Sequence, residues 1–141
     1  MQDQRISELV RHQDPVSLGP DATVQQACAL MRERRVGCVL VRDGEGRLVG
    51  ILTGRDIVHR LGAGSPDLAQ MRLAEVMTPD PSCLPPGAGG LDALRLMEDG
   101  GFRHVPVVED GRVLGVVSRG DFRAKEHRQL DQEKRLWERI W

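Results

Sequence analysis

Two stretches of this chain place a hydroxyl residue three positions ahead of an aspartate. Gly50-Ile51-Leu52-Thr53-Gly54-Arg55-Asp56-Ile57 and Gly115-Val116-Val117-Ser118-Arg119-Gly120-Asp121-Phe122 share one pattern at an offset of 65 positions: Gly, two apolar residues, a hydroxyl residue, two variable residues, Asp, an apolar residue. The apolar pair reads as the end of a strand, and the residues after the hydroxyl as the start of a helix. The first N–H groups of a helix have no intrahelical partner and carry the positive end of its dipole, so together they stabilise a phosphate. A Thr or Ser hydroxyl adds a donor. An ionised Asp accepts from paired sugar hydroxyls, as an acid does for ribose in dinucleotide folds. Thr53, Asp56, Ser118 and Asp121 are therefore candidate binding residues. Arg55 and Arg119, inside the motifs, either add phosphate contacts or are solvated first-turn arginines. The same spacing is close to a capping box, in which the acid serves its own helix end.

The elements around each motif repeat as well. Ile6-Ser7-Glu8-Leu9-Val10 pairs with Leu73-Ala74-Glu75-Val76-Met77, and Pro15-Val16-Ser17-Leu18-Gly19-Pro20 with Pro81-Ser82-Cys83-Leu84-Pro85-Pro86. Each reads as a short strand leading into a turn. A helix comes next, capped at Thr23 with Gln26 closing a capping box. Its apolar face is Val24, Ala27, Leu30 and Met31. In the second half Leu91, Ala93, Leu94 and Met97 form the face, and Gly100-Gly101 stops the helix. Cys38–Val41 then forms a buried strand, Asp43-Gly44-Glu45-Gly46 a turn, and Leu48–Leu52 the return strand. The second half has Val105–Val108, Asp110-Gly111 and Val113–Val117, with Pro106 at an edge or an irregular strand start. A last helix opens at Asp56 or Asp121. Residues 62–72 join the halves, with Ser65 and Pro66 as N-cap and N1 of a short linker helix.

Composition narrows the function classes. The chain has 141 residues, 40% hydrophobic and 29% charged, as expected for one globular domain or two small units packed as one. A lone half would bury too little core, so the halves are expected to pack on each other. With 3% aromatic residues and no Tyr, aliphatic side chains must fill the core. A net charge of −1 with interspersed signs gives no electrostatic case for nucleic acid or an anionic membrane. No apolar run approaches the ~20 residues of a membrane helix, and the first residues carry no signal-peptide pattern. A cytoplasmic location is expected. Cys28, Cys38 and Cys83 form no CxxC pair and read as small hydrophobes in a reducing compartment. His12, His59, His104 and His127 have no metal-ligand spacing. The glycines at 44, 46 and 50 miss the dinucleotide fingerprint and precede a strand instead of coming after one. Arg119-Gly120-Asp121 is a chance tripeptide within the motif. No catalytic constellation stands out, and an enzyme is not expected.

The ordered set resembles a cystathionine-β-synthase-type (CBS) domain pair, or Bateman module, over residues 5–125. The residues that carry the resemblance are the two Gly-x-x-(Thr/Ser)-x-x-Asp stretches, Val76-Met77-Thr78-Pro79 and Arg103-His104-Val105-Pro106-Val107. The resemblance implies an α+β fold of two tandem β-α-β-β-α repeats, packed through their sheets about a pseudo-twofold axis. The domain reading is repeat one at 5–61, a linker at 62–72, repeat two at 73–125 and an amphipathic C-terminal helix at 126–141. The resemblance also implies two clefts for adenosyl ligands: AMP, ADP, ATP, S-adenosylmethionine, or sometimes NAD or a dinucleotide messenger. By that resemblance Thr53 and Asp56 share a cleft with Phe102, Arg103 and His104, and Ser118 and Asp121 with Val16, Arg35 and Val36. The basic pair Arg103-His104 occurs in one half only. Its counterparts are about Val36 and Gly37, after Arg34 and Arg35, so the cleft of Thr53 is expected to hold phosphate better.

From residue 124 on the chain is charge-rich, with an apolar stripe of Leu130, Leu136, Trp137, Ile140 and Trp141. The stripe packs on its own module or forms a homodimer or partner contact, since Trp is enriched at interface hot spots. The expected function is a stand-alone regulatory module that binds an adenosyl nucleotide and signals to another protein. The alternatives are a structural or oligomerisation module with vestigial clefts, and a small enzyme acting on a nucleotide.

Overall fold

The computed structural model describes residues 5–62, 64, 67–122 and 124–140. The expected cap at Ser65-Pro66 and the last stripe residue, Trp141, lie outside them. The elements run α1 (Ile6–Leu9), β1 (Ser17–Leu18), α2 (Val24–Arg34), β2 (Cys38–Arg42), β3 (Leu48–Thr53), α3 (Gly54–Gly62), α4 (Leu73–Val76) and β4 (Thr78–Pro79), then α5 (Gly90–Gly100), β5 (His104–Glu109), β6 (Arg112–Ser118), a 3-10 turn (Arg119–Asp121) and α6 (Ala124–Ile140). The fold is α+β, built from the two sequence repeats.

Two compact units form. The first takes Asp14–Pro81 with Gly111–Val113; the second takes Ser82–Asp110, the chain from Leu114 on and the N-terminal segment through Gln13. Each has its own core. The first is built on Val24, Ala27, Met31, Val39, Val41, Leu52, Ile57, Leu73 and Val76. The second is built on Ile6, Val10, Leu94, Met97, Val105, Val107, Val117, Phe122 and Leu130, among others. The opening segment of each repeat is thus built into the unit of the other.

Those opening segments are helical turns, contrary to the strands expected at Ile6–Val10 and Leu73–Met77. The reason is spacing. Ile6 and Val10, four apart, and Leu73 and Val76, three apart, are the buried residues, and only a helical turn puts such pairs on one side. Both turns are held alike. Ile6 and Ser7 N–H donate to Ala88 and Pro86 carbonyls, and Leu73 and Ala74 N–H to Ala22 and Pro20 carbonyls, all at 2.8–3.1 Å. These bonds satisfy first-turn donors that a helix leaves open.

The first unit carries a four-stranded sheet in the order β1-β2-β3-β4, with β1 parallel to β2 and the other pairs antiparallel. In the second unit β5 pairs with β6, and Leu84 bridges Val107 in parallel, as β1 does β2. Fully buried Pro106 fits because its carbonyl accepts from Leu84 N–H, 3.0 Å, so its missing N–H also faces that sparsely paired side. The β5–β6 hairpin turns at Asp110-Gly111, both at positive φ (51° and 78°), as a two-residue turn matched to strand twist requires.

Candidate functional site

The capping box predicted at Thr23 and Gln26 forms in both directions, at 3.1 and 2.8 Å. Its helix, α2, ends with Arg35 in the left-handed region at φ 55°, and both Arg35 and Val36 N–H donate to the Met31 carbonyl. In the second repeat Gly101 at φ 72° and Phe102 make the same bonds to Met97. This shared helix stop fixes the correspondence: Arg35 matches Gly101, Val36 matches Phe102, Gly37 matches Arg103, and Cys38 matches His104. The counterparts of Arg103-His104 are therefore Gly37-Cys38, one position later than the repeat spacing alone suggests. The contrast is sharper for it, since neither Gly nor a buried thiol offers a charge. Burial pushes the Cys38 thiol up to about 11, which keeps it neutral and unreactive.

Each motif stands beside the entrance of its own repeat's preceding strand. Thr53 pairs in register with Cys38, and Gly54 N–H donates to the Gly37 carbonyl at 3.0 Å. Arg119 N–H donates to the Arg103 carbonyl at 3.0 Å. In the first unit this gathers Thr53, Arg55 and Asp56 on the strand-to-helix turn. In the second it gathers Ser118, Arg119 and Asp121 next to Arg103 and His104.

Both aspartates cap their own turns. Asp56 Oδ2 accepts from Thr53 N–H at 3.0 Å, and Asp56 N–H donates to Thr53 Oγ1 at 3.2 Å. Asp121 Oδ2 accepts from Ser118 N–H at 2.7 Å. One oxygen of each carboxylate is thereby committed. Among the described residues no hydrogen bond engages the other, so each acid can still accept from a ligand.

The two junctions lead into different elements. Asp56 lies in the first turn of α3, nine residues long, which supplies a dipole. Gly54 and Asp56 N–H are already taken by the Gly37 carbonyl and Thr53 Oγ1, so among the described residues the Arg55 N–H is the donor left for a ligand. The helix expected at Asp121 does not form there. The chain makes one 3-10 turn, Arg119–Asp121, and Phe122 returns to extended backbone at ψ 150°. The cause is burial: Phe122 enters the core of the second unit, 6% exposed, and the next helix is α6, Ala124–Ile140. The phosphate argument from a helix N-terminus therefore holds at Thr53 alone.

The arginines differ too. Arg55, two positions after Thr53, is exposed and makes no ion pair among the described residues. Arg119, one position after Ser118, pairs through Nη1 with Glu98 Oε2 at 3.2 Å. The other oxygen of Glu98 accepts from Lys134 Nζ on α6. Lys134 and Arg119 together hold the Glu98 carboxyl below the ordinary carboxylate value. Beside them Arg95 binds Glu133 through Nε and Nη2 at 3.0 and 2.6 Å. Nothing in the sequence pattern marks Glu98, which meets residues 21 and 36 positions away.

The remaining candidates take different surroundings. Val16 is half-buried against the core of the first unit, and Val36 is 41% exposed. Phe102 is half-buried against the core of the second, its ring over Gly100. Arg103 is exposed and His104 half-buried. No group of three or more His, Cys, Asp or Glu among the described residues could hold a metal ion. No helix among them is long and apolar enough to cross a membrane.

The CBS domain model matches residues 6–63 and 73–127, each match closing just past one hydroxyl-Asp motif. The chain belongs to the CBS domain family. A CBS domain-containing protein of Arabidopsis thaliana, CBSCBSPB5, is 38% identical over 99 residues, 70% of this chain and 18% of that protein. The chain thus spans about a fifth of the length of such curated relatives. The crystal structure of a CBS-domain containing protein from Agrobacterium tumefaciens superposes with a TM-score of 0.78 at 30% identity, covering 85% of this chain and 91% of that one. A CBS domain protein of Pyrobaculum aerophilum complexed with AMP gives 0.80 at 26% identity, covering 91% and 98%. The two repeats are therefore a CBS pair, a type of module that is typically regulatory and ligand-binding.

Proposed function

We propose that this CBS pair is a cytoplasmic regulatory module that binds an adenosyl nucleotide at its hydroxyl-Asp junctions and passes the bound state to a partner protein. AMP, ADP, ATP and S-adenosylmethionine are the ligands proposed. The observation that carries the reading is the Thr53–Asp56 junction. A hydroxyl, a carboxylate with one uncommitted oxygen and exposed Arg55 converge there on the first turn of a nine-residue helix, in a chain similar to the Pyrobaculum aerophilum protein complexed with AMP. Phosphate sits on the helix N-terminus and Arg55, and ribose hydroxyls donate to Asp56. Ser118 and Asp121 form the weaker site. Arg103 and His104 supply further phosphate contacts, Arg35 adds a charge, and Phe102, Val16 and Val36 supply apolar walls. Output goes through a homodimer or another protein, because a ligand shifts a module only by preferring one arrangement of it.

Isothermal titration with AMP, ATP and S-adenosylmethionine tests this on the native chain, Asp56→Ala and Asp121→Ala. The expected result is a larger loss from Asp56→Ala; equal losses would remove the inequality of the sites. Arg103→Ala combined with each variant assigns Arg103 to the junction with which it is non-additive. The completed capping boxes favour one competing reading, a structural module whose acids only cap helices. Thermal shift separates the two, because a ligand that binds the native state alone raises apparent stability. A melting temperature unmoved by the whole panel would leave the structural reading standing.

A further inference from the structure

The second junction is wired to the C-terminal helix through a single carboxylate. Glu98, on the last turns of α5, divides its two oxygens between Arg119 of the motif and Lys134 of α6. Next to it Arg95 grips Glu133 in two parallel bonds. Along α6, Leu130, Lys134 and Trp137 lie at i, i+4 and i+7, one face of a helix. Leu130 is buried at 5% in the core of the second unit, while Leu136 and Trp137 are 57% and 61% exposed. The described hold on this face therefore ends at Lys134, one turn before Trp137.

We infer that Glu98 is an internal competitor for the ligand at the Ser118–Asp121 junction, and that a ligand taking Arg119 there changes the hold on α6 through Lys134. This rests on the binding reading above and adds its regulation. An anionic ligand at Ser118 meets an arginine already neutralised, whereas Arg55 at the first junction has no such rival among the described residues. Once a phosphate takes Arg119, Glu98 loses one of two cations and answers to Lys134 alone. The linkage is reciprocal: whatever strengthens the Glu98–Arg119 pair weakens the ligand, and the reverse. Exposed ion pairs are individually weak, so the effect on affinity is about three- to tenfold.

The test uses the full chain in the Asp56→Ala background, so that the second junction dominates the titration. The two tryptophans of the chain are Trp137, on α6, and Trp141, so intrinsic fluorescence reports on the segment from Trp137 on. With ATP as probe, Glu98→Gln is expected to bind three- to tenfold more tightly. Its tryptophan emission should not change on binding, because the carboxylate that links Arg119 to Lys134 is gone. Lys134→Met leaves Glu98 wholly to Arg119 and is expected to bind more weakly, the opposite sign. Far-ultraviolet circular dichroism verifies that both variants are folded. Affinities within twofold of the parent, with the ligand-induced emission change intact in Glu98→Gln, overturn the coupling alone. Failure of ATP, AMP and S-adenosylmethionine to bind even the unmutated chain overturns the binding reading, and the coupling with it.

Discussion

The Met77 side chain occupies the space where a Cβ on Gly50 would stand. An added methyl would meet the sulfur and Cγ of Met77 closer than atoms can approach. Gly115 has the same relation to Val10, whose Cβ and Cγ1 would lie at 2.7 and 2.8 Å. The motif glycine of each repeat is thus the seat for the opening helical turn held in that unit, and packing alone requires it. Gly50→Ala is expected to cost about 1–2 kcal/mol and Gly115→Ala about 2–3 kcal/mol. Val10 costs more because it is branched at Cβ and close to its backbone, whereas unbranched Met77 can bend away. Urea denaturation checks the order. Gly50→Ala combined with Met77→Ala should be less destabilised than the sum of the single changes.

Capping and binding at Asp56 can be separated. Asn still presents an oxygen to the Thr53 N–H, so Asp56→Asn should keep stability within about 0.5 kcal/mol, while Asp56→Ala loses about 1 kcal/mol. Nucleotide affinity should fall by about tenfold in both, because each loses the charged acceptor. A full-affinity Asp56→Asn chain would mean that the carboxylate serves the helix alone.

Arg35 holds a left-handed backbone position that Gly101 fills in the other repeat. Replacing it with Gly removes the Cβ clash of that conformation. Arg35→Gly should stabilise the chain by about 0.5–1 kcal/mol, or roughly 2 °C in melting temperature. If Arg35 also contacts phosphate, the same variant binds ATP more weakly while melting higher, a combination that calorimetry and thermal shift read together.

Acid should loosen α6 by way of Glu98. Its carboxyl is held below the ordinary 4.5 by Lys134 and Arg119. A lowered folded-state value means that this contribution is complete above the ordinary carboxylate range and is lost as pH falls through the lowered value. Arg95, with Glu133 and Asp92 around it, stands beside the same contact. Tryptophan emission measured from pH 7 to pH 3 should therefore show an acid transition that Glu98→Gln lacks. An identical transition in that variant would assign it to the Glu133 side.

The reach of the sequence is set by the range of the interactions. The Thr23–Gln26 box, the Gly101 stop, the strands around Val39 and Val107 and the turn at Asp110-Gly111 are set by residues within four positions of each other. They are legible because local spacing decides them. The duplication shows that two related junctions exist. The tertiary structure decided what became of each. Ile6 and Leu73 are helical because their burial partners lie in the other repeat's chain, and Asp121 heads no helix because Phe122 is drawn into a core. Arg119 is spoken for by Glu98, 21 positions away, and Lys134 closes that contact from 36 positions away. Pattern along a chain carries periodicity and capping. Which repeat keeps, among the described residues, an arginine without an ion pair and a full helix after its junction depends on distant side chains meeting, and only the folded chain brings them together.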